Sequence, residues 1–172
     1  MRALTNLRGL AQTDKALNCM SQDVREALHH RSLVATGWYP VAWYCDIWRG
    51  IRESTGEGVS IARTLGRESF RQDLNLVHKF ALSLLSPETV MSIGTRLTAK
   101  YYRPTRVSFE MSGGVAYAHY ADCIGWDENM WAEIVAGIEL MLELAGAKNI
   151  SIRLIEGAQA RDDFAVFEGR WS

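Results

Sequence analysis

Little in this sequence names a chemistry. Three cysteines, Cys19, Cys45 and Cys123, are too few and too scattered for a disulfide framework. Each has apolar or small neighbours, so they read as buried free thiols in a reducing compartment, with the cytoplasm as the expected location. Neither sign of charge dominates: 19 basic against 20 acidic residues leave a formal net charge of -1 and no long-range field for nucleic acid. Arg96, Lys100, Arg103 and Arg106 read as a solvated helix end rather than an anion site. No apolar run suits a membrane span. The longest apolar helix, near 130–145, carries Glu133, Glu139 and Glu143, and Arg8, Asp14 and Lys15 interrupt any secretory core at the N-terminus.

Motifs for catalysis and metal binding are equally scarce. His119 and Cys123 are strand-borne, which sets them about 13 Å apart and prevents shared chelation. His29 and His30 are adjacent and face different ways on a helix. Gly56, Gly58 and Gly66 fit no phosphate-binding pattern, and Ser112, Asp122 and Cys123 sit in no strand–turn–helix nucleophile context.

What is present is architecture. Hydrophobic residues at 48% and charged residues at 23% suit one folded domain with a sizeable core. Val107, Phe109 and Met111 alternate, a turn follows at Gly113 and Gly114, and Val115, Tyr117, His119 and Ala121 share a face of the next strand. Trp131, Ile134, Val135, Ile138, Met141, Leu142 and Ala145 then recur at helical spacing behind an Asp127 cap, and Gly146 stops that helix. Strands over Asn149 to Glu156 and Asp163 to Trp171 complete a β-β-α-β-β order.

Ahead of it the pattern is helical, over Gln22 to His30, Val41 to Glu53 with Pro40 at the first helical position, Ile61 to Leu65 ending at Gly66, and Phe70 to Leu85. A last helix opens at Ser86-Pro87-Glu88 and contains Gly94, which suits a close helix crossing. Residues 1–20 have mixed spacing. The fold class is therefore α+β: N-terminal helices packed with a four-stranded, mainly antiparallel sheet. A single domain spans 1–172, with a helical region 1–103 and an α+β region 104–172.

Aromatic residues suggest a site. Trp43, Tyr44, Tyr101, Phe109, Tyr117 and Trp131 are the candidate walls of a ligand pocket between helices and sheet, with Arg106 and His119 as its polar contacts. His78, one position off an apolar stripe, is the candidate cofactor ligand. The same aromatics also suit a filled core or a partner surface.

Two resemblances attach to these residues. Trp38-Tyr39-Pro40, Ala62 to Arg67, Val107 to Glu110, Trp131, Gly137 and the closing strand Phe164 to Trp171 resemble a myxobacterial paralogous family of about this length. The order of helices followed by β-β-α-β-β resembles the group of haem–nitric-oxide-binding and vinyl-reductase-like small-molecule-binding domains. That second resemblance implies sensor-like ligand binding. The Tyr-x-Ser-x-Arg signature of haem–nitric-oxide domains is incomplete here: Tyr102 and Arg106 stand at its ends, but Pro104 replaces the serine. The cysteine and histidine pattern of the vinyl-reductase-like domains is absent, so the cofactor is unknown. The expected role is a sensory or regulatory module for a small apolar or planar ligand, acting through a homodimer or a protein partner. The alternatives are a ligand-free interaction module and a small enzyme.

Overall fold

In the computed structural model the longest helix begins at the expected cap. The Asp127 carboxylate accepts hydrogen bonds from the backbone N–H groups of Asn129 and Met130, satisfying donors that a helix start leaves free. The structure describes residues 1–30, 32–34, 37–74, 81–112, 114–159 and 162–172, without the side chains of Thr95, Leu97, Ala99 and Lys100. Its helices are α1 (Arg2–Arg8), α2 (Leu10–Asn18), α3 (Gln22–His29), α4 (Val41–Thr55), α5 (Ser60–Asp73), α6 (Pro87–Tyr101) and α7 (Glu128–Leu144). Its strands are β1 (Arg106–Ser112), β2 (Val115–Ala121), β3 (Ser151–Gly157) and β4 (Ala165–Arg170), in the antiparallel order β1-β2-β4-β3. The α+β reading and its β-β-α-β-β order hold.

Pleating decides which side of the sheet faces inward. Ala116, Ala118 and Tyr120 of β2 and Ala165 and Phe167 of β4 are buried, opposite Val107, Phe109 and Met111 of β1. α7 lies between this face and α5, which explains a helix buried nearly all round from Asn129 to Ile138. The other sheet face is polar. There the Glu168 carboxylate lies between Arg153 and Arg170, at 3.1 and 2.9 Å. Those hydrogen bonds hold its carboxyl below the usual glutamate range.

Three glycines set how closely helices approach α7. A Cβ on Gly66 would stand 2.6 Å from Glu133 Cγ and 3.1 Å from Glu133 Cα. One on Gly137 would stand 2.6 Å from the Phe70 ring, and one on Gly94 would meet Met141 at 3.3 Å. Gly94 thus makes the close crossing its sequence position suggests. Gly66, expected to end a helix, lies inside α5 instead, because the close contact with α7 outweighs its low helix propensity. Gly66→Ala is expected to lower stability by about 1–3 kcal/mol despite roughly 1 kcal/mol of gained propensity. A urea midpoint equal to or above wild type would contradict the close crossing.

Other boundaries also differ from expectation. Pro40 is the residue before α4, with an extended ψ of 135°, rather than its first helical position. Residues 1–20 form α1 and α2, separated at Gly9 with φ 83°. The expected helix over 70–85 is partly answered: Phe70 to Asp73 finish α5, while 75–80 lie outside the described residues. Ser86 caps α6 as expected, its hydroxyl accepting from Thr89 N–H. No helix among the described residues is long and apolar enough to cross a membrane.

Candidate functional site

Among the described residues one carboxylate lies in the core between the helices, apart from Glu168 on the polar sheet face. Glu133 of α7 is 7% exposed, at the point where Gly66 of α5 passes. The Tyr44 hydroxyl reaches it from α4, 2.7 Å from each carboxylate oxygen. Burial lifts the Glu133 carboxyl to about 7. Hydrogen bonding from Tyr44, the nearby Trp48 indole and the Met1 α-amine pull the other way, and Asp127 adds a small upward push. The Trp48 N–H is buried and has no partner in good hydrogen-bond geometry, so it acts on Glu133 only loosely. Burial first, then the charge of Glu133, pushes the Tyr44 phenol well above its ordinary range and keeps it protonated as a donor. Tyr102 is raised for the same two reasons. Burial lowers the Met1 α-amine, with Glu133 opposing.

Beside this carboxylate the aromatics close on one another. Trp126 and Trp131 have ring centroids 4.6 Å apart, and Tyr102 meets Trp126 edge-on at 4.8 Å. Tyr120 meets Trp131 at 5.8 Å and Phe167 at 5.9 Å. These are ordinary contact separations for packed rings.

Of the residues chosen from sequence, the fold brings Tyr44 and Trp131 to the core, with Phe109 half-buried on the same sheet face. It does not bring the others to them. Tyr117 and His119 lie on the opposite face of β2, where His119 Nε2 is 3.3 Å from Glu110. Arg106 is exposed and paired with Asp122. Tyr101 is 70% exposed. Trp43 stacks on Tyr39 with centroids 6.1 Å apart and planes 17° apart. His78 lies outside the described residues. Glu133 was missed as a site residue. Its signal was available, as an acid inside an apolar helix one turn before Gly137.

Trp43 belongs to an outward aromatic ledge. Trp38 is 56% exposed, with the Arg103 guanidinium 4.6 Å over its ring. Tyr39 is held in place because its hydroxyl accepts a hydrogen bond from Val34 N–H at 2.7 Å. The turn carrying exposed Ile124 abuts the start of α4, where a Cβ on Gly125 would touch Val41 at 3.8 Å.

A cleft of about 780 Å³ runs between α4 and the head of α7. Its acids are committed internally. Arg49 binds Asp46 and Glu53, Arg8 binds Glu57, Arg52 binds Glu128, and Asp127 caps α7. Cys45 lines it, but burial and then Asp127 push its thiol up to about 11, and burial does the same to Cys123. Both stay protonated at neutral pH, which is wrong for a nucleophile. Among the described residues no three His, Cys, Asp or Glu side chains gather as a metal site.

No protein-family model matches the sequence, and no curated protein does. Solved structures do match, and they define the class of fold. An H-NOX protein from S. oneidensis in the Fe(II)NO ligation state superposes with a TM-score of 0.70 at 12% identity, covering 99% of this chain and 94% of that one. A structure described as modulating heme redox potential through protein-induced porphyrin distortion gives 0.69 at 16% identity, covering 99% and 93%. One described as giving structural insights into H-NOX activation gives 0.62 at 16%, covering 99% and 91%. The chain therefore has an H-NOX-like fold along nearly its whole length.

The described residues do not fit a haem. A macrocycle needs an apolar slot of several hundred Å³. The packed rings of Tyr102, Tyr120, Trp126, Trp131 and Phe167 leave none among them, and a concavity beside Phe167 and Ile138 holds only about 10 Å³. The 780 Å³ cleft is open and lined by charges. Tyr102 points into the core while Arg106 is exposed, so the ends of the incomplete signature do not converge.

Proposed function

We propose that the chain is a sensory or regulatory module that takes a small apolar or planar ligand on the Trp38–Tyr39–Trp43 ledge. Through α4 it relays occupancy to a second copy or a protein partner. The observation that carries this reading is the ledge itself: a stacked pair beside an exposed tryptophan, with Arg103 ready to face a π-system or an anionic edge. An H-NOX-like fold supports it, because the neighbours' own descriptions refer to heme, a planar ligand, and to activation. The relay runs along α4, where Trp43 on the ledge adjoins Tyr44, the partner of Glu133. The resemblance to a myxobacterial paralogous family remains part of the proposal, and two of the segments that carry it, Trp38-Tyr39-Pro40 and Ala62 to Arg67, lie at the ledge and at the Gly66 crossing.

The test uses 8-anilinonaphthalene-1-sulfonate, a planar anion, as probe in an indole N–H NMR titration. The Trp38 and Trp43 signals are expected to shift saturably while that of Trp131 stays still. Trp38→Ala is expected to weaken binding roughly tenfold, the loss of about 1.4 kcal/mol of stacking and cation–π contact. Equal binding by Trp38→Ala, or shifts confined to Trp131, would remove the ledge from the reading. A second reading, a protein-docking module, is favoured by the exposure of Ile124 at 63% beside the ledge.

A further inference from the structure

We infer that Glu133 is a proton-responsive latch between α4 and α7: protonated, it lets the two helices close over it, and ionised, it loosens α4 from the core. This does not depend on what occupies the ledge.

The geometry gives the sign. Gly66 brings the α5 backbone against Glu133, leaving no room for water from that side. Among the described residues Tyr44 makes the well-formed hydrogen bonds to the carboxylate, the Trp48 indole acts on it only loosely, and neither brings a positive charge. Among the described residues, the ionisable groups facing Glu133 are few. From α4 comes Tyr44, a neutral donor; from the segment after α6 comes Tyr102, also neutral; ahead of α1 stands the Met1 α-amine; at the head of α7 is Asp127, a like charge. On α5, Arg63 and Arg67 flank Gly66 but are bound to Glu139 and Glu143. Among the described residues the only facing cation is thus the α-amine, which burial drives toward its neutral form.

A buried carboxylate so thinly compensated favours any movement that admits water. Of the helices around it, α5 is packed along the length of α7, whereas α4 packs mainly on α2 and touches α7 little, so α4 can part from α7 together with α2. Movement of α4 is therefore the least costly response. Protonation removes the charge, and Tyr44 and the carboxylic acid can still hydrogen-bond each other, each being donor and acceptor. The balance of these effects lies near neutrality, where burial lifts the carboxyl to about 7.

The test is a ¹³C-carboxylate NMR titration of the full chain, paired with amide hydrogen exchange. The Glu133 carboxyl is expected to titrate with a midpoint of about 7. Protection of the Tyr44–Ile51 amides, corrected for intrinsic rates, is expected to fall roughly tenfold between pH 5.5 and 8.5. In Glu133→Gln it should stay within about twofold over the same range. Tyr44→Phe removes a donor that favours the charged form, so its midpoint should move up; this variant keeps the test alive if Glu133→Gln does not fold. A wild-type midpoint in the ordinary glutamate range, or α4 protection that changes equally in Glu133→Gln, would overturn the latch.

Discussion

Trp131→Ala is expected to cost about 3–5 kcal/mol of stability, the usual range for removing a buried tryptophan. Trp131 is 4% exposed and touches Tyr120 of β2, Phe167 of β4 and Trp126 of the turn before α7. Tyr120 and Phe167 stand on paired strand backbones and Trp126 on the turn before α7, so they cannot all collapse into the space. The cost should fall toward the lower end, because Trp131 Nε1 is itself buried without a partner and its removal relieves an unsatisfied donor. Trp131→Phe separates the two contributions: it keeps most of the ring volume, loses the orphan N–H, and should cost less than about 1.5 kcal/mol. Urea denaturation measures both. Added indole should raise the midpoint of Trp131→Ala, since a dry apolar void binds a ligand of its own shape. A Trp131→Ala loss below about 1 kcal/mol, with no response to indole, would mean that the interior is not packed around this residue.

The second large effect is a fall in stability as pH rises from 5 to 8, traced to Glu133. Its folded carboxyl is lifted from 4.5 to about 7, so in that window the folded state holds a proton that the unfolded chain has released. The stability this contributes is complete below 4.5, declines through 7 and is absent above it. The full loss is about 3 kcal/mol, at about 1.4 kcal/mol for each tenfold change in proton affinity. Asp46, Glu88 and Glu168 are shifted downward and act oppositely, but only at pH values below this window. The Met1 α-amine, lowered from 8.0 by burial, also acts oppositely and within reach of the window. The difference between wild type and Glu133→Gln isolates the carboxyl. The wild-type profile should slope downward relative to the variant, and two parallel profiles would contradict the assignment.

The fold was legible because its signals are local. Asp127, Ser86 and Gly146 punctuate helices through backbone groups a few residues away, and period-two alternation marks β1 and β2 without reference to partners. The site was much less legible. Alternation shows that Tyr117 and His119 share a face but not that α7 covers the other one, so two residues assigned to a pocket stand across the sheet from Tyr44 and Trp131. Glu133 looks from sequence like one of three charges that keep a helix out of a membrane. Only the passage of Gly66, 67 residues earlier, turns it into a buried group. Gly66 itself reads locally as a helix stop, and only the α5–α7 contact explains why the helix runs through it.

Among the described residues the interior is filled by packed rings, so within an H-NOX-like fold no haem is expected to bind. The most direct measurement of that claim is native mass spectrometry of freshly purified protein with a visible absorption spectrum, repeated after addition of hemin. The expected result is no Soret band as purified and no saturable one-to-one hemin complex, with any retained mass being that of a smaller molecule lost in Trp38→Ala. A stoichiometric hemin complex with a sharp Soret band would contradict the account, since the aromatic core would then have to open into a slot.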